Sequence, residues 1–172
     1  MDKFVCSCCG KCCKKFGKKG LPLFDFEVER IQKLAKERNI FLDIRSIEGF
    51  MDNKTGKENI ALYGMFNEPC PFLRNNKCSI HEYRFLICRQ FPLFSTECFK
   101  FGKGLPEFMD CCNFDCEGEL RKFIGDGNKN PQEIENYLKE TYGECFDSCL
   151  ESNKETERIM EWLIKNGIKE RD

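Results

Sequence analysis

No stretch of this chain is apolar for anything near the roughly 20 residues that a membrane-spanning helix needs, which excludes a helical membrane protein. The first residues, Met1-Asp2-Lys3-Phe4-Val5, contain no apolar core of a secretion signal and run straight into cysteines. The expected location is therefore the cytoplasm. Charge of one sign is also missing. With 28 basic and 29 acidic side chains the formal net charge is -1, so nothing electrostatic points to nucleic acid as a partner. His81 is the only histidine and Trp162 the only tryptophan. The sequence has no Gly-x-Ser-x-Gly, no Walker loop, no His-Glu-x-x-His and no dinucleotide glycine fingerprint, so a hydrolase is not supported.

What the chain has in excess is cysteine, 14 in 172 residues. Five of them, Cys6, Cys8, Cys9, Cys12 and Cys13, fall within eight residues. Lys11, Lys14 and Lys15 are interleaved with them, which marks a surface segment rather than core packing. In a reducing compartment, clustered thiols are metal ligands or redox groups more often than bridges. Intracellular disulfides, as in a Lys/Glu-rich hyperthermophile protein, are the minority alternative. Lys14, Lys15, Lys18 and Lys19 form a local basic patch, read as a solvated loop or as charge that offsets thiolates. Phenylalanine is abundant at 17, and many of these residues lie close to cysteines in sequence, including Phe4, Phe72, Phe85, Phe91, Phe94, Phe99, Phe114 and Phe146. They make either ordinary core or a dry shell around a metal.

The length fits one domain, or one domain with an extension. Asp25 is placed to cap a helix whose apolar face is Val28, Ile31, Leu34 and Ala35. The turn signal Asp52-Asn53-Lys54-Thr55-Gly56 predicts a hairpin with arms over 46–51 and 59–66. Asn75-Asn76-Lys77 turns the chain so that Cys70 and Cys78 come to face each other, and His81 opens one helical turn. The stretch 93–114 reads as irregular. Asn130 with Pro131 starts a helix, and a further helical stretch carries Cys145 and Cys149. Ser152-Asn-Lys-Glu155 has the form of a capping box that begins another helix, with Ile159, Met160, Leu163 and Ile164 as its stripe. The predicted class is α+β: a small, loop-rich cysteine core over 1–120 with a short antiparallel sheet and several packed helices, and a helical extension over 121–172 packed on it.

Cys6, Cys9 and Cys12 recur every third residue, the spacing by which a ferredoxin-type loop wraps three corners of a cubane cluster. Gly10 gives that loop the freedom to aim its sulfurs inward. Cys12 and Cys13 are adjacent, and the expectation is that they do not serve one tetrahedral ion together. Cys70, Cys78 and Cys88 form a second constellation. It lacks the paired C-x2-C units of a zinc ribbon.

Phe4-x-Cys6-x2-Cys9-Gly10-x-Cys12-Cys13, Cys70-Pro-Phe-Leu, Cys78-Ser-Ile-His-Glu-Tyr-Arg84 and Cys88-Arg89-x-Phe91-Pro92 together resemble the YkgJ-type CxxCxxCC family. That family is described as zinc- or iron-chelating and is similar to the cysteine-rich domain of flagellin lysine N-methylases. The resemblance spans roughly 4–116. It implies metal ligation by Cys6, Cys9, Cys12, Cys13, Cys70, Cys78 and Cys88. Phe85 stands where the family usually has proline, and none of Cys98, Cys111, Cys112 and Cys116 has the Pro-Gly context of the family's last cysteine. The last ligand is to come from among Cys98, Cys111, Cys112 and Cys116, of which Cys112 and Cys116 are placed in the expected set.

Arg84 and Arg89 flank these cysteines and are expected to donate N–H groups to thiolate or cluster sulfur, or else to form surface ion pairs. His81 reads as local structure or as a ligand, and Cys145 and Cys149, one helical turn apart, as core or as ligands. The favoured cofactor is an iron–sulfur cluster of the 4Fe–4S type, or iron, with electron transfer or a methyl-transfer-associated role. The alternative is zinc in a structural or chelating module that acts through a protein partner. A dithiol redox protein is a third class, and no thioredoxin βαβ pattern accompanies Cys6-Ser-Cys8-Cys9.

Overall fold

The computed structural model describes residues 3–7, 9–16, 18, 20–51, 55–95, 106–109, 114–125 and 129–165. Contacts divide the chain into two compact units: Gly10–Phe85 with Glu155–Asp172, and Met1–Cys9 with Leu86–Lys154. We call them the sheet unit and the helical unit. The class is α+β, as the sequence predicts.

The sheet unit is built on strands β1 (Leu21–Phe24), β2 (Ile44–Met51) and β3 (Glu58–Met65), antiparallel in the order β1-β3-β2. The predicted hairpin is thus β2–β3, and its turn residues 52–54 lie outside the described residues. Helix α1 (Asp25–Glu37) packs on β1 and β3 and buries Ile31 and Ala35 from its apolar stripe. Its N-cap is Phe24 rather than Asp25. The Glu27 carboxylate reaches back to accept the Phe24 N–H at 3.1 Å, satisfying a donor that the helix leaves open and placing negative charge at the helix start. Glu27 is buried by this arrangement. Gly20 precedes β1 with φ 69°, and a Cβ there would sit 2.7 Å from the Met65 carbonyl oxygen, so no side chain fits.

A second, two-residue hairpin pairs β4 (Leu73–Arg74) with β5 (Lys77–Cys78). Asn75 and Asn76 have φ of 50° and 61°, the left-handed pair that a tight hairpin turn demands and that asparagine tolerates. A single 3-10 turn, His81–Tyr83, follows, as expected. Phe72 and Phe85 are fully buried and meet edge to face with ring centroids 6.3 Å apart.

The helical unit contains α2 (Leu86–Gln90), the short pair β6 (Leu93–Ser95) and β7 (Glu107–Phe108), α3 (Cys116–Ile124), α4 (Pro131–Tyr142) and most of α5 (Glu144–Lys165). The β6–β7 pairing gives order to part of a stretch that reads as irregular in sequence. Helix α4 starts as predicted. Asn130 Oδ1 accepts the Glu133 N–H at 3.0 Å, and Glu133 Oε2 accepts the Asn130 N–H at 2.9 Å. Leu93, Leu120, Ile134, Tyr137, Leu138, Tyr142 and Phe146 form the core, with Cys116 and Cys149 among them.

Ser152 does not start a new helix. Helix α5 runs without interruption from Glu144 to Lys165. A capping box acts only where the chain enters a helix from outside, and no glycine or proline between 144 and 165 ends the preceding turns. Of the predicted stripe Leu163 is buried, and Ile164 is 74% exposed.

Candidate metal centre

The ten described cysteines are thiols. Cys8, Cys98, Cys111 and the expected ligand Cys112 lie outside the described residues. The ten described cysteines, with Cys145 and Cys149 included, divide between the two units, and the division cuts the first motif. Cys12, Cys13, Cys70 and Cys78 belong to the sheet unit, whereas Cys6, Cys9, Cys88, Cys116, Cys145 and Cys149 belong to the helical unit.

The sheet-unit set is assembled by short-range backbone geometry. Gly10, at φ 71°, turns the chain into a 3-10 turn over Lys11–Cys13, and the Cys13 N–H donates to the Gly10 carbonyl at 3.1 Å. A Cβ on Gly10 would lie 3.3 Å from Leu73 Cδ1 and 3.4 Å from Asn76 Cα, so this loop rests on the β4–β5 hairpin. The Cys70 N–H donates to the Cys13 carbonyl at 2.7 Å, and the Phe16 N–H donates to the Glu68 carboxylate. These bonds join the loop to the segment that carries Cys70. Pairing of Leu73 with Cys78 then brings Cys78 back beside it.

Cys12 and Cys13 bring their sulfurs to 3.8 Å. Four sulfurs bound at about 2.3 Å around a tetrahedral ion are about 3.8 Å apart along each edge. The adjacent pair therefore has a spacing that two ligands on one ion would also have. Both residues lie in the 3-10 turn Lys11–Cys13 that follows Gly10. Thiolates on different corners of a cubane are held further apart by the width of the cluster.

Cys70 is 7% exposed, and burial pushes its thiol up; the Phe72 amide pulls it down, the neighbouring Cys78 and Cys12 charges raise it, and the Leu73 amide lowers it. Burial likewise raises the Cys78 thiol, against the Ile80 amide and the Arg84 guanidinium, which lower it; Cys12 raises it and Arg38 lowers it. Each of these sulfurs thus has a backbone N–H from the second residue after it, a donor that favours the thiolate, the form that ligates metals. Cys12, Cys70 and Cys78 lie near enough to feel one another's charge. Among the described residues no three His, Cys, Asp or Glu side chains are already drawn together closely enough to hold an ion. The donor set itself, four thiols with amide donors on two of them, fits a soft or borderline metal such as zinc or iron.

The helical-unit thiols have a different setting. Cys116 and Cys149 are buried in the apolar core, and the Cys116 thiol donates to the Phe114 carbonyl at 3.7 Å. Cys145 is partly buried against the same core. Phe4, two residues before Cys6, is fixed by its N–H to the Thr141 carbonyl at 2.9 Å and by its ring against Phe91, Phe114 and Tyr142. Cys6 is exposed, and Cys9 and Cys88 are half-buried. Arg89 reaches the Glu151 carboxylate at 3.4 Å, while its Nε is buried with no partner. Arg84 donates from Nε to the His81 carbonyl at 2.9 Å, so His81 enters the local structure through its backbone. Phe94 is 52% exposed, outside both core and shell.

A family model for CxxCxxCC, described as "Putative zinc- or iron-chelating domain", matches residues 5–113. The chain belongs to the CxxCxxCC family. None of the curated proteins and none of the solved structures matches it. The match encloses every cysteine of the sheet-unit set and leaves Cys116, Cys145 and Cys149 outside, so metal binding is the property that this CxxCxxCC domain brings to the chain. No helix among the described residues is long and apolar enough to cross a membrane. Arg38 lies in no cysteine motif, and its Nη1 donates to the Ser79 carbonyl at 3.1 Å, a contact that sequence reasoning did not single out.

Proposed function

We propose that this CxxCxxCC protein is a thiolate metal-binding module whose sheet unit takes a single tetrahedral zinc or iron(II) ion on Cys12, Cys13, Cys70 and Cys78. The observation that carries this reading is the 3.8 Å separation of the Cys12 and Cys13 sulfurs, the edge of a one-ion site. Binding draws Cys70 and Cys78 onto that pair, with the Phe72, Leu73 and Ile80 amides supporting the thiolates. A structural ion of this kind supplies folding energy to a loop-rich unit and prepares its surface for a protein partner.

The second reading is a 4Fe–4S cluster with an electron-transfer or methyl-transfer-associated role. It is favoured by the three-residue spacing of Cys6, Cys9 and Cys12. Anaerobic purification with iron, zinc and acid-labile sulfide measured per chain separates the two. One zinc or one iron without sulfide, lost in Cys70→Ser and in Cys13→Ser, is the expected result. Iron with matching sulfide would establish the cluster instead.

A further inference from the structure

We propose that Arg38, together with Arg84, is the countercharge of the Cys12–Cys13–Cys70–Cys78 centre, and that its charge sets how tightly the centre holds a divalent ion. The inference rests on the one-ion reading above. Four thiolates around a divalent ion leave two negative charges in excess. Cys70 is 7% exposed and Cys13 and Cys78 are half-buried, while Cys12 is exposed, so water screens this charge only in part. Uncompensated charge in such a place is costly, and the remedy is a fixed cation nearby.

Two guanidinium groups are held by backbone bonds on the segment that follows Cys78. Arg38, the C-cap residue of α1, donates from Nη1 to the carbonyl of Ser79 at 3.1 Å, one residue past Cys78. Arg84 donates to the His81 carbonyl at 2.9 Å, and Arg30 steadies that segment from α1 with contacts of 3.5 Å to the Tyr83 and Arg84 carbonyls. No carboxylate pairs with Arg38 among the described residues, so its charge is not already spent. A purely structural explanation assigns Arg38 to stapling the helix end onto the β5 loop. The two roles separate because one needs only an N–H donor and the other needs the charge.

The test compares zinc affinity, by competition with a chromogenic chelator, in wild type, Arg38→Gln and Arg38→Lys. Glutamine retains an N–H for the Ser79 carbonyl and removes the charge, while lysine retains the charge. Arg38→Gln is expected to weaken zinc binding by roughly ten-fold, the lower end for groups around a metal site, and Arg38→Lys to stay close to wild type. Arg38 is exposed, so the gap is expected to narrow as salt rises. Equal affinities for wild type and Arg38→Gln would overturn the proposal, as would equal weakening in both variants, which marks a structural role. Unchanged far-UV circular dichroism and thermal midpoint of the metal-free variants control for folding. Equal zinc uptake by wild type and Cys70→Ser would instead overturn the one-ion reading, and the countercharge role with it.

Discussion

Whether a cysteine ligates a metal or fills a core is decided at the residue scale by what surrounds its sulfur. Cys70 and Cys78 have amide donors and neighbouring thiols around them, and Cys78 has guanidinium charge as well. Cys116 has leucine, isoleucine and aromatic side chains, and its thiol donates to a carbonyl, which an ionised ligand cannot do. Sequence cannot separate these settings, because both residues stand in cysteine-rich segments. Cys116→Ala is therefore expected to cost about 1 kcal/mol through the lost packing of one buried atom and to leave the metal content unchanged. Denaturant unfolding and metal analysis of the same preparation check this. Loss of a full equivalent of metal would return Cys116 to the ligand set. Cys12 and Cys13, adjacent in sequence, bring their sulfurs to 3.8 Å within the 3-10 turn that Gly10 opens.

At the scale of elements, patterns tied to local chemistry read correctly. Asn130 with Pro131 opens α4, the asparagine pair closes the β4–β5 hairpin, and the turn signal separates β2 from β3. These succeed because caps and turns are satisfied within a few residues. The reading of Ser152-Asn-Lys-Glu155 fails for the same reason in reverse. The motif is locally sufficient, but a helix already in progress satisfies the same backbone groups through its own ladder. Lys154→Pro discriminates the two arrangements. In the first turn of a separate helix proline is tolerated; inside the continuous α5 it removes a hydrogen bond and clashes, at a cost of about 3 kcal/mol. Lys154 is exposed, so no packing is lost with it, and thermal unfolding is expected to show the larger penalty.

At the scale of the whole molecule, the sulfurs of one motif are shared between two units. If the proposed site lies wholly within the sheet unit, metal removal is expected to act locally. Chelation should lower apparent stability by about 2.7 kcal/mol when free metal had stood at 100 times its dissociation constant. Hydrogen exchange is expected to lose protection over 10–14 and 70–80, while core amides of α4, such as that of Leu138, keep theirs. Uniform loss along the chain would mean that the whole fold depends on the ion.

The sequence by itself determined that thiols would be the chemistry of this chain, that they would meet in a small α+β fold, and where most turns and caps would fall. Those properties depend on composition and on interactions spanning a few residues. Tertiary structure decided which sulfurs keep company, that Cys116 and Cys149 belong to an apolar core, and that Arg38 stands beside Cys78. The bonds from Cys70 to Cys13 and from Arg38 to Ser79 join segments far apart in sequence, and the rest is a matter of burial. They depend on how α1, the β4–β5 hairpin and the helices pack, and packing is a balance over the folded chain that no short segment contains.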